Sequence, residues 1–224
     1  MKSLEILCAD IGSVAGGKFG WAALRLPEET VCTGRDMADF VSKVVEGLRR
    51  GRVALGFECP LFVPLADEPR DLTRARRGEG SHAWSGGAGC GALATGLVQV
   101  TWILARAKEA LPVTFPAFLK WSQFEQAEKG LFLWEAFVTA GAKAASDAGD
   151  AEVAVRDFFR CLGRLDDASA VRETHVLSLV GAALLRTGWR EDIMVLQEPC
   201  VVIKPGGEQA AATDEARAST EPRG

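Results

Sequence analysis

Apolar and polar positions change period several times along the chain, and the changes mark its elements. Leu4 to Ala9 is a short apolar run that ends on Asp10; Ile11 to Gly17 is a glycine-rich turn, and Gly20 to Leu26 is a second strand-like run. Val31-Cys32 offers a short third strand, so the opening predicts a β-meander. Asp36 then stands as an N-cap. Met37, Phe40, Val41, Val44, Val45 and Leu48 follow at helical spacing until Arg49-Arg50-Gly51, which predicts a helix over about 37–50. Arg52 to Phe57 is the next apolar run; it reaches Glu58 and stops at Cys59-Pro60, where a central strand cannot continue.

Asp67 to Gly91 is charged and then glycine-rich, with seven glycines between Gly78 and Gly96, and predicts a long loop of the kind that is functional or mobile in compact domains. Leu97, Val100, Trp102, Ile103 and Leu104 predict a helix from Leu93 to Leu111, ended by Pro112. Leu131 to Trp134 reads as another inner strand, ending on Glu135. Two helices are expected after it, Ala151 to Leu162 stopped by Gly163 and Ser169 to Thr187 stopped by Gly188, and Cys200 to Ile203 as an edge strand. From Pro205 onward no large apolar side chain is present, so this tail has nothing to pack into a core.

Length and composition narrow the class. A chain of 224 residues, 48% apolar and 25% charged, suits one α/β domain with a substantial core and is too short for two large lobes. The absence of a run of 18 apolar residues, and of a basic start with a long apolar segment, gives the expectation of a cytoplasmic protein with no membrane association. Cys8, Cys32, Cys59, Cys90, Cys161 and Cys200 are widely spaced and form no paired motif, which points to small buried hydrophobes rather than a zinc site. The net charge of −4 argues against tight general binding of duplex nucleic acid. Arg70, Arg74, Arg76 and Arg77 make the densest basic cluster, interleaved with Asp67, Glu68, Asp71 and Glu79; Arg74 and Arg77, with His82 in the loop beyond, are the candidate substrate-binding residues.

The chemistry rests on carboxylates at strand ends. A right-handed crossover from the meander through the 37–50 helix would lay the Glu58 strand parallel to the Asp10 strand, and both acids would meet at one sheet edge as hard ligands for Mg²⁺ or Mn²⁺. Glu135 is a third strand-end acid. Glu173 falls on the stripe of Leu177, Val180 and Leu184 in the last expected helix, where a metal, Arg164 or exposure at the helix start would satisfy it. His175 and Ser178 point elsewhere on that wheel and read as structural. Gly12 to Lys18 fits the first seven positions of a P-loop, but Phe19 replaces the metal-binding hydroxyl and a strand is expected to follow. Gly87 to Ala92 has dinucleotide-fingerprint spacing without a preceding strand, and glycine content explains it better.

Ile6-Leu7-Cys8-Ala9-Asp10-Ile11-Gly12, the return strand Gly20-Trp21-Ala22-Ala23, the run Ala54-Leu55-Gly56-Phe57-Glu58-Cys59-Pro60-Leu61, the strand ending at Glu135 and the last alanine-rich helix together resemble an uncharacterised RNase H-like family described as predicted nucleases. The resemblance spans residues 4–203. It implies a three-layer α/β fold with a mixed five-stranded central sheet flanked by helices and a domain over residues 1–204, while the composition of 205–224 predicts a disordered tail. It also implies a first-strand Asp, an acid after the fourth strand and a fifth-strand Glu, matched by Asp10, Glu58 and Glu135. The Asp-Ala pair that the family carries in its final helix is replaced by Ser178-Leu179, which leaves Glu173 as the substitute. The leading expectation is a nuclease or phosphodiesterase in which Asp10, Glu58 and Glu173 are catalytic and two ions of Mg²⁺ or Mn²⁺ are held by these acids and Glu135. Its substrate would be a structured or single-stranded nucleic acid or a small phosphate ester. Two alternatives stand beside it: an ATP-dependent small-molecule kinase of the actin-like superfamily, on the strength of Asp10-Ile11-Gly12-Ser13, and a catalytically silent binding scaffold.

Overall fold

A computed structural model describes residues 3–80, 83–138 and 144–205. The expected tail lies almost wholly outside these residues, as does His82. The meander forms as expected: β1 (Leu4–Asp10) pairs antiparallel with β2 (Gly20–Leu26), and β2 pairs antiparallel with β3 (Thr30–Gly34). α1 (Met37–Arg50) starts at Asp36, whose carboxylate accepts the N–H groups of Ala38 and Asp39 at 2.7 and 2.9 Å, and it buries Phe40, Val41, Val44, Val45 and Leu48. It carries the chain over to β4 (Arg52–Glu58), which lies parallel to β1 with Asp10 opposite Glu58. β7 (Gly130–Ala136) lies parallel on the far side of β4.

Two short strands extend this path beyond the expected five. β6 (Ala117–Phe118) and β9 (Val201–Ile203) both lie parallel to the free side of β7, at its two ends, so the mixed sheet has seven strands. A second, two-stranded sheet joins β5 (Phe62–Pro64) to β8 (Val176–Ser178).

Layers follow from the alternation of side chains along the central strands. Leu7, Ala9, Leu55, Phe57, Leu131 and Leu133 face one way, into a core shared with α1, α2 (Gly87–Glu109) and α5 (Leu179–Arg186). Ile6, Cys8, Ala54, Phe132 and Trp134 face the other way, onto α4 (Asp147–Arg160) and α3 (Trp121–Gln126). Trp121, Phe124, Phe132, Trp134 and Phe158 interlock there, with the rings of Trp134 and Phe158 4.6 Å apart.

The helix boundaries differ from the sequence pattern at three places. α2 starts six residues earlier than its apolar periodicity, because the glycines of its first turn lack a periodic signal but accept helical backbone; by length and composition it is the one described helix long and apolar enough to cross a membrane. Its Val100, Ile103, Leu104 and Ala107 lie in the core, while Leu97, Val98 and Trp102 are exposed. α4 starts at Asp147 rather than Ala151, capped by Ser146, whose hydroxyl accepts the Gly149 N–H. The last helix is halved: the β-branched Val171, Thr174 and Val176 favour extended backbone, residues 176–178 form β8, and Ser178 caps the eight-residue α5. Of the six cysteines Cys8, Cys59 and Cys200 are buried, Cys32 and Cys90 are exposed, and all are free.

Candidate metal centre

Asp10 and Glu58 end adjacent parallel strands in register, so their side chains leave the sheet together on the face covered by α4. That helix brings the third acid. Asp150 lies in its first turn, 4% exposed, and one ligand oxygen from each of Asp10, Glu58 and Asp150 lies within 4.8 Å of the other two. The Asp150 carboxylate also accepts the N–H of Ala144, which fixes its rotamer. The approach depends on Gly20, the β2 residue paired with Asp10. A Cβ there would stand 2.3 Å from the Ala148 backbone nitrogen, so only glycine lets the start of α4 come down onto this strand end.

Three carboxylates this close repel one another unless a cation or proton intervenes. Their hard oxygen donors suit a divalent cation held by oxygen. The residues present therefore fit a metal ion.

Glu135 and Glu173 do not join them. Glu135 is opposite Phe57, one position short of Glu58, so the alternation of the strand sends it to the other face of the sheet. There it meets Arg76. The guanidinium donates to both Glu135 oxygens at 2.6 and 2.8 Å, to Glu79 Oε1 from Nε and Nη2 at 3.1 and 3.0 Å, and to the Phe62 carbonyl at 3.3 Å. All five guanidinium N–H groups are thereby engaged. The Leu61 N–H also donates to Glu135, and the Arg76 N–H to Glu79. Arg76, Glu79 and Glu135 are 2%, 1% and 1% exposed, a depth at which an unpaired charge would be untenable. Burial works against the guanidinium charge, but Glu135 and Glu79 outweigh it and hold the Arg76 pKa above its usual value.

Glu173 lies in irregular chain before β8, not on a helix, so its expected stripe does not form. It accepts two bonds from Arg74 at 2.7 and 2.9 Å and one from the Arg77 N–H at 2.8 Å. The Arg74 bonds, with the Arg77 N–H and charge added, outweigh burial and lower its pKa to about 2. Two of the expected substrate-binding residues are thus accounted for: Arg74 is held in this clamp, and Arg77 contributes its N–H while its side chain is largely exposed near Glu173. His175 is exposed and Ser178 is the buried cap of α5, as the helical wheel suggested for different reasons.

The two clamps pin the segment after β5 against the domain. Arg74 and Arg76 reach opposite ways, Gly78 passes the Ala170 carbonyl at a φ of +97°, where a Cβ would stand 1.8 Å from that oxygen, and the Trp84 indole donates to the Arg74 carbonyl at 2.9 Å. This segment and the first turn of α2 close a cavity of about 820 Å³ over the carboxyl-terminal ends of β1, β4 and β7. Asp10 and Glu58 line one side, the Arg76 network another, and Gly86 to Ala88 a third. Gly12 to Lys18 forms the tight β1–β2 hairpin, with Lys18 N–H donating to the Ser13 carbonyl at 2.8 Å, and is followed by a strand.

Asp150 is the residue that sequence reading missed. Asp150-Ala151 is an Asp-Ala pair, but Asp147-Ala148 and Asp167-Ala168 repeat it, so local sequence does not single out Asp150. No family model matches the chain, and neither curated proteins nor solved structures give a match.

Proposed function

We propose that this protein is a metal-dependent phosphodiesterase of RNase H-like fold, with Asp10, Glu58 and Asp150 holding Mg²⁺ or Mn²⁺. The observation that carries the proposal is the convergence of these three acids at the ends of β1, β4 and α4. A mixed central sheet flanked by helices agrees with what the RNase H-like resemblance implies, and Asp150 offers a third acid beside Asp10 and Glu58. A bound divalent ion would polarise a phosphoryl oxygen and acidify a water. The protein's own part is to present three charged oxygens in fixed geometry, Asp10 and Glu58 through strand pairing and Asp150 through the aromatic anchoring of α4. The α2 amino terminus, whose N-cap Gly86 has no side chain to accept its N–H groups, lines the same cavity and favours an anion there.

The substrate is a single-stranded nucleic acid or a small phosphate ester rather than duplex. Among the described residues lining the cavity Arg76 is the one cation, and its donors are engaged by protein, so no basic track follows a duplex backbone. The test is Mn²⁺-dependent cleavage of single-stranded, duplex, branched and mononucleotide phosphodiesters. Wild-type turnover that disappears in Asp10→Asn, Glu58→Gln and Asp150→Asn supports the proposal. Turnover that survives all three, or no turnover of any substrate, overturns it.

A further inference from the structure

We infer that the cavity takes one small phosphate ester, such as a mononucleotide, with its organic group against the first turns of α2, and that it is not a groove for a nucleic-acid strand. The inference rests on the metal reading above and decides between the two substrate classes left open there. The cavity holds about 820 Å³, within the range of sites that enclose one small ligand. Its lining follows the pattern of such sites: Ile11, Pro60, Ala92, Phe137 and Val138 give apolar walls, and the charged groups gather at Asp10, Glu58 and the Arg76 network. Binding a strand calls for a row of cations along the backbone and a succession of aromatic platforms. The described lining offers one aromatic ring, Phe137, and one cation, Arg76, whose donors are all engaged. The wall is also fixed, because Arg76, Glu79 and Glu135 are buried as one ion-paired network and Gly78 runs against the Ala170 carbonyl.

The α2 side of the cavity points to the same occupant. Glycine costs helix stability relative to alanine, and two glycines of α2 have a packing reason to be there. A Cβ at Gly89 would stand 2.5 Å from the Ala83 carbonyl oxygen, and one at Gly96 would stand 2.5 Å from the Cys59 sulfur. Gly91 has no such reason. Its backbone is ordinary helix, and a Cβ there would meet no described atom within 4 Å. It lines the cavity beside Ala88 and Ala92, so the room that a side chain would fill is cavity room, left open for the organic group of the ester.

The experiment is a calorimetric titration of the Mn²⁺-loaded full chain with thymidine monophosphate, phenyl phosphate and an oligothymidylate lacking terminal phosphates, beside a Mn²⁺ titration of the same protein. The wild type is expected to bind one molecule of at least one small ester per chain, and the oligothymidylate more weakly by at least about tenfold. Gly91→Phe should weaken the ester by at least about tenfold, because its ring takes the same room, while Mn²⁺ affinity stays within about threefold. Ala88→Phe, one turn away on the same wall, should do the same and decides the matter if Gly91→Phe does not fold. Gly91→Ala should raise the melting temperature, as for a glycine that packing does not need. An oligothymidylate that binds as tightly as the esters, esters that bind both phenylalanine variants as they bind the wild type, a lower melting temperature in Gly91→Ala, or neither ester binding a chain that does bind Mn²⁺ would each overturn the inference and leave the metal reading intact. A wild type that binds no Mn²⁺ overturns both.

Discussion

The two faces of one sheet edge carry acids under opposite conditions. On the α4 face Asp10, Glu58 and Asp150 crowd within 4.8 Å; on the other face Glu135 and Glu79 enclose Arg76, and every donor of the guanidinium is engaged. The first set brings three acids close enough for one divalent cation to bridge them, and the second closes around an arginine that the chain supplies. Buried carboxylates at strand ends thus do not by themselves mark a metal site. A single-residue difference in strand register decides which face each acid joins: Glu58 goes with Asp10 and Asp150, and Glu135 goes to Arg76.

The largest effect expected from breaking this contrast comes on the Arg76 side. Arg76→Met leaves two buried carboxylates uncompensated and should lower unfolding stability by about 3–5 kcal/mol in urea titration, while Arg76→Met/Glu79→Gln/Glu135→Gln should recover most of the loss. Equal losses in the single and triple variants would show that packing, not charge, is at stake.

On the α4 face the same kind of change should act on chemistry instead. Asp150→Asn should reduce Mn²⁺-dependent phosphodiester cleavage by about 10²–10³-fold, the scale of losing one charge-stabilising group. Metal-free stability should change by less than for Arg76→Met, because the amide keeps an oxygen to accept the Ala144 N–H and one of three neighbouring negative charges is removed. A marked fall in metal-free melting temperature would place Asp150 among structural acids like Glu135.

Glu173 sharpens the comparison by pH. Its pKa in the folded chain, about 2, lies below the unfolded value, so its contribution is complete above the ordinary carboxylate range and is lost as pH falls from there towards about 2. Glu173→Gln should cost about 2 kcal/mol at neutral pH and progressively less in acid, with Mn²⁺ affinity unchanged. A stability gap that stays constant down to pH 2 would contradict the Arg74 clamp.

The smallest effect tests how α4 reaches the strand end. Gly20→Ala pushes a methyl group towards the Ala148 nitrogen and should weaken Mn²⁺ binding by about tenfold while the central sheet stays intact by circular dichroism. Unchanged affinity would show that α4 can shift without moving Asp150 from the trio.

Much of the fold was legible because periodicity is local. The meander, α1 and the pairing of β1 with β4 follow from runs that alternate or repeat at helical spacing, and the connection through α1 leaves few topologies open. Helix limits were less legible where local preference and packing disagree. The glycines of Gly87 to Gly91 lie in helix against their propensity, and Val171 to Val176 leave it in keeping with theirs.

The sequence by itself determined that Asp10 and Glu58 end neighbouring strands, because hydrophobic runs, turns and crossover handedness are short-range constraints. It also determined that 205–224 has no side chains with which to build a core. Only the tertiary structure decided the company of each acid. Glu135 turned away because its register partner is Phe57; Glu173 found Arg74 across 99 positions, and Asp150 came in because Gly20 admits the end of α4. A carboxylate's electrostatic environment is the sum of what packs within a few ångströms of it, and those neighbours come from distant parts of the chain that no local pattern specifies.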